Sequence, residues 1–153
     1  MRKIAFSLWI ILAVFLVACT SEPETPIVTY VGDGCSYSGP TELQTGLRSI
    51  VFKDLSDQNQ DLWADRIRDG YTYQDYLDLQ NKPGEYFPRP SWIIPASIPS
   101  EPWVWDESAG ARVYTWRFDK PGVYILVVGK DKPISMLSLW ICGSIQVVEA
   151  PDE

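Results

Sequence analysis

The chain has 153 residues, 46% of them hydrophobic and 22% charged, with 13 Lys plus Arg against 20 Asp plus Glu, no His, and a formal net charge of −7. An acidic surface of that kind argues against nucleic acid as a partner and against attraction to anionic lipid headgroups. A chain without imidazole also lacks the base that usually activates a catalytic thiol.

The first element is an apolar run from Ile4 to Ala18 behind the basic pair Arg2 and Lys3, followed abruptly by Thr, Ser, Glu and Pro. That is the layout of an export signal. The run falls short of the roughly 20 residues of a membrane span, so a simple N-terminal anchor is the weaker reading. Its end, "LVAC" (Leu16 to Cys19), resembles the cleavage box of bacterial lipoproteins. The resemblance implies that Met1 to Ala18 are removed, that Cys19 is acylated, and that the lipid bilayer is a partner through that residue. More than one acyl chain, at about 0.8 kcal/mol per buried methylene, gives durable attachment in the cell envelope, facing outside the cytoplasm. Thr20 follows the Cys where an inner-membrane retention signal would have Asp. Removal of Arg2 and Lys3 would leave 11 bases against 20 acids, a charge of −9.

Residues 19–27 then read as the acylated Cys and a polar, proline-bearing tether, and residues 28–150 as one domain. Short alternating blocks punctuated by Pro and Gly predict an all-β domain. The first clear block is "GLRSIVFKDL" (46–55). "DQNQD" (57–61) has the spacing that opens a calcium loop, but Leu62 stands where Gly is needed and Arg68 where a bidentate Glu belongs, so it reads as a polar loop. One helix follows: Thr72 and Asp75 have capping-box spacing, Tyr73, Tyr76 and Leu77 line a face, and Pro83-Gly84 ends it. Asp75 and Asp78 share a face of that helix by spacing, as Asp61 and Asp65 would if their stretch were helical, with solvated charge as the ordinary role of such pairs.

Residues 82–102 hold half of the 12 prolines. A stretch that poor in backbone donors predicts an ordered crossover outside the ladders. In "ARVYTWRF" (111–118), Val113, Thr115 and Arg117 face one way and Tyr114, Trp116 and Phe118 the other. "DKPG" (119–122) predicts a tight turn, "VYILVV" (123–128) a central strand apolar on both faces, and "GSIQVVE" (143–149) the last strand.

This order, with "YSGP" near its start, "RDGYTYQDYLDLQ", a proline crossover, "PGVY" and a closing strand, resembles the small cupredoxin-like lipoproteins of bacteria over residues 35–149. The resemblance implies a cupredoxin-like Greek-key β-sandwich with one short helix on a connection. In copper-carrying members the "PGxY" strand ends in a Cys ligand and the loop after it supplies a His and often a Met. Here Val128 or Gly129 stands at that position, the chain has no His, and Met136 alone makes no blue-copper site. The expectation is a domain with no metal and no cofactor.

With Cys19 acylated, Cys35 and Cys142 are the remaining thiols of an exported protein, where disulfides persist. Cys35 is expected just before the first strand and Cys142 just before the last, and in a sandwich of this type those strands lie side by side. A bridge across such a loop is worth about 4.7 kcal/mol in the chain-entropy model. A catalytic thiol is the alternative, without a His to activate it. No phosphate-cradling Gly loop, zinc spacing or nucleophile elbow occurs, so an enzyme is the least favoured class.

Six tryptophans remain in the domain: Trp63, Trp92, Trp103, Trp105, Trp116 and Trp140. Aromatic residues mostly build sandwich cores. Trp92, Trp103 and Trp105, in and beside the proline crossover, are the candidates for an exposed platform that binds a sugar, a peptide or a hydrophobic partner. The functional expectation is a surface-anchored, copper-free cupredoxin-like binding module for an envelope protein or small ligand. The alternative is a structural accessory subunit of an envelope or electron-transfer complex.

Overall fold

The alternating blocks become strands in the computed structural model, which describes residues 25–80, 89–96, 103–129 and 139–151. The segment expected to be an export signal, Cys19, Tyr86, Phe87 and Met136 lie outside the described residues. The strands are β1 (Ile27–Tyr30), β2 (Cys35–Ser38), β3 (Glu42–Gln44), β4 (Gly46–Asp54) and β5 (Asp61–Ile67), followed after α1 (Tyr73–Gln80) by β6 (Ile93–Pro95), β7 (Trp103–Asp106), β8 (Ala111–Phe118), β9 (Gly122–Gly129) and β10 (Trp140–Val148). They form two five-stranded sheets, ordered β2-β1-β4-β8-β7 and β3-β10-β9-β5-β6. The domain is an all-β sandwich with a single short helix among the described residues.

Period-two alternation puts Val28, Tyr30, Ile50, Phe52, Tyr114, Trp116 and Phe118 of the first sheet against Leu62, Tyr124, Leu126, Val128, Ile145 and Val147 of the second. Strand β9 is apolar throughout because its two faces have different coverings. Tyr124, Leu126 and Val128 enter the core between the sheets, while Ile125 and Val127 join Ile67, Ile93 and Leu139 in a second cluster with Tyr76 of α1. The helix starts as its spacing predicts: the Asp75 carboxylate accepts from Thr72 N at 2.7 Å and Thr72 Oγ1 at 2.8 Å, and Asp75 N donates back to Thr72 Oγ1 at 3.2 Å. Its packed face carries Leu79 beside Tyr73 and Tyr76, where Leu77 was expected.

Local expectations are refined in three places. The short turn expected at "DKPG" is a corner that joins strands of different sheets, since β8 pairs with β4 and β7 while β9 pairs with β5 and β10. Arg66 fixes the corner by donating to Pro121 O from Nε at 3.1 Å and Nη2 at 3.0 Å. The proline crossover contributes a ladder, because Ile93–Pro95 pairs antiparallel with β5. A proline is tolerated there because β6 is an edge strand and Pro95 its last residue.

The third change concerns the disulfide, which is present between Cys35 and Cys142. Cys35 opens the second strand, at the edge of one sheet, and Cys142 sits inside the last strand, at its register shift between Ile141 and Gly143. The bond therefore ties one sheet to the other. Next to it Gly143 takes the ring-bearing Tyr37 of β2 so closely that an added Cβ would lie 2.9 Å from Tyr37 Cβ.

Candidate functional site: a tryptophan-walled cleft at the β7 edge

Strand β7 is the edge of the first sheet, with Trp103 opposite Tyr114 and Trp105 opposite Arg112. Residues two apart share a face, so both indoles lie on the face that carries Arg112, Tyr114 and Trp116. They are nevertheless 41% and 52% exposed. Together with Phe52, Asp54, Ser56, Asp57, Asn59 and Arg112 they line a cleft of about 360 Å³. That volume lies within the roughly 300–1,000 Å³ of small-molecule sites.

The loop from Leu55 to Gln60 forms one wall and is built around Asp54. Its Oδ1 accepts from Ser56 N at 3.0 Å and Ser56 Oγ at 2.7 Å, and its Oδ2 accepts from Gln60 N at 2.9 Å. Asn59 takes a positive φ of 50°, a conformation that asparagine tolerates better than most residues. The calcium-like spacing of this stretch is absorbed by that turn and by Asp61, which begins β5.

Arg112 forms the floor. It is 8% exposed and donates to Gln60 O at 2.6 Å, Asp61 Oδ1 at 3.1 Å and Asp54 Oδ2 at 3.4 Å. Its guanidinium carbon lies 5.0 Å from the Phe52 ring centre and 5.6 Å from that of Trp103. A buried cation is tolerable only with this degree of pairing. Tyr114 Oη donates to Asp61 Oδ1 at 2.9 Å, and burial pushes its phenol above the ordinary range. Sequence reasoning missed Arg112, although parity held the signal: in "ARVYTWRF" it falls on the same face as Tyr114 and Trp116.

Trp92 belongs elsewhere. It is half-buried, stacks on Tyr71 with ring centres 4.6 Å apart and planes 5° from parallel, and packs against the cluster that holds Tyr76. The structure thus brings Trp103 and Trp105 together and leaves Trp92 apart. Trp63 and Trp116 are core-lining, with Trp116 fully buried, while Trp140 is exposed near Tyr30. Asp75 and Asp78 are solvated helix charges, engaged by Thr72 and by Gln74 Nε2 at 2.8 Å.

A second polar feature lies at the side of β5. Asp65, 1% exposed, pairs with Arg89 at 2.6 Å and, with Trp63, Arg89, Pro95, Ala96 and Trp116, lines a cavity of about 250 Å³. Burial outweighs the pull of Arg89 and raises the Asp65 pKa to about 6. Trp63 Nε1, Tyr76 Oη and Arg89 Nε are buried without hydrogen-bond partners among the described residues.

Among the described residues no group of three or more His, Cys, Asp or Glu is arranged to hold a metal ion, and no helix is long and apolar enough to cross a membrane. Val128 is a fully buried core side chain. Comparison with protein-family models, with curated proteins and with solved structures finds no match for this chain.

Proposed function

We propose that the chain is a lipid-anchored, extracytoplasmic binding protein whose β-sandwich is cupredoxin-like but works without copper, and that the β7 cleft is its contact surface. The observation that carries this reading is the exposure of Trp103 and Trp105 on the inward-facing side of an edge strand. Large apolar side chains on that side are normally covered by the opposite sheet, and an uncovered pair beside polar groups is a hallmark of recognition surfaces.

The test is capture from solubilised envelope fractions by the purified full chain and by its Trp103→Ala/Trp105→Ala double variant. Specific capture by the parent, lost in the variant while the melting temperature falls by no more than a few degrees, is the expected result. Trp103 packs on Arg112, so the single Trp105→Ala change serves as the variant least coupled to stability. Undiminished capture by both variants would move the contact surface away from β7 and favour the accessory-subunit reading. Copper bound after incubation and desalting should stay far below one equivalent; a stoichiometric blue-absorbing site would defeat the copper-free half.

A further inference from the structure

We infer that the β7 cleft recognises an organic ammonium cation, the class that includes choline-type headgroups, polyamines and lysine-like side chains; this rests on the reading of the cleft as a binding surface. The cleft already contains one solution to that problem within the chain. Arg112 sits against the rings of Phe52 and Trp103 and is neutralised by Asp54 and Asp61. An aromatic face attracts a cation through its quadrupole, and an adjacent carboxylate supplies the counter-charge. Two residues along the same strand face, Trp105 offers a second indole, and Asp57 offers a second carboxylate on the same cleft wall. Among the described residues neither side chain has a hydrogen bond, ion pair or ring contact, and Trp105 is 52% exposed.

Charge decides the sign of the ligand. Asp54, Asp57 and Asp61 outnumber the single guanidinium of Arg112 around the cleft. The turn that closes the β7–β8 hairpin adds Asp106 and Glu107, and the neighbouring β1–β2 turn adds Asp33. Lys53, next to Asp54 at the end of β4, adds one further base. A cleft with net negative charge in a chain of net charge −7 focuses a field that concentrates cations and repels anions. A neutral sugar would use the indoles but gain nothing from that field.

The full chain, held in a non-ionic polyoxyethylene detergent, is titrated with choline and, separately, with its uncharged isostere 3,3-dimethyl-1-butanol, while the indole N–H resonances are followed by NMR. Choline should shift the Trp105 resonance saturably in the millimolar range, about tenfold more tightly than the isostere, and leave Trp92 and Trp116 in place. Trp105→Ala and Asp57→Asn should each weaken choline binding about threefold to fivefold, the scale of an exposed cation–π or ion-pair contact. Added salt should weaken it further. Equal binding of the isostere, or full affinity in Asp57→Asn, would overturn cation recognition while leaving the cleft a binding surface. If choline leaves the Trp103 and Trp105 resonances unmoved, the cation inference falls, while the binding-cleft reading is decided separately by the capture experiment with the Trp103→Ala/Trp105→Ala variant.

Discussion

Two charged residues on largely buried positions, Arg112 and Asp65, show how the same problem is met in different ways. Arg112 has carboxylates on two sides and a carbonyl at 2.6 Å, so it is fully paired close to the cleft. Asp65 has one partner, Arg89, and its pKa rises from the ordinary 3.8 to about 6. The folded state therefore binds the Asp65 proton more tightly than the unfolded chain, which ionises near the ordinary value. Stability from this group is fully present below about pH 4 and is lost as pH climbs through about 6. Over that window the loss amounts to about 3 kcal/mol. Urea unfolding of the parent and of Asp65→Asn between pH 4 and pH 7 should show the parent losing stability relative to the variant by about that amount. A pH-independent difference between the two would mean that Asp65 titrates as an exposed carboxylate.

The element most constrained by its neighbours is the crossing of β2 over β10. The Cys35–Cys142 bond holds Cα atoms 4.8 Å apart, and one residue on, Gly143 carries Tyr37 against its bare Cα. With the strands tied, neither can withdraw to admit a methyl group. Gly143→Ala should lower the unfolding free energy by about 1–3 kcal/mol, the usual range for overpacking, read as a drop in the urea midpoint at unchanged slope. A midpoint within experimental error of the parent would show that β2 yields. At this scale the chain was legible where one strand has one environment: the alternation of Tyr114, Trp116 and Phe118 marks the inward face of β8, and the Thr72–Asp75 spacing marks the start of α1. Pairings across long separations were less legible. Nothing local in "DKPG" distinguishes a hairpin from a corner, because the same turn residues serve both and the choice is made by which partners β8 and β9 find.

Across the whole molecule, β1 runs parallel to β4 with Ile27 opposite Val51, so residues before Ile27 lead toward the Gly46 end. The cleft lies at the other end, around Asp54 and Asp106. On the proposed anchor, the six residues between Cys19 and Pro26 would reach at most about 25 Å over seven Cα–Cα steps, which would place the Gly46 end toward the bilayer and the cleft away from it. Radiolabelled palmitate should appear in the parent chain and be absent from Cys19→Ala; equal labelling of both would remove the anchor and with it this orientation.

Composition and pattern alone carried the strand-rich class, the helix cap and the inward face of β8, because each depends on residues close in sequence, whereas the pairing of Cys35 with Cys142 was read from the expected acylation of Cys19 and from the resemblance. The cleft depended on the tertiary structure. Trp92, Trp103 and Trp105 look alike as a set along the chain, and only strand pairing separates them, covering Trp92 beside Tyr71 and leaving the other two at an uncovered edge. Asp54, Asp57 and Arg112, more than 50 positions apart in sequence at the extremes, converge because β4 and β8 are hydrogen-bonded neighbours whose ends meet the loop before β5. Burial and charge pairing are properties of that convergence, and no local window of residues contains them.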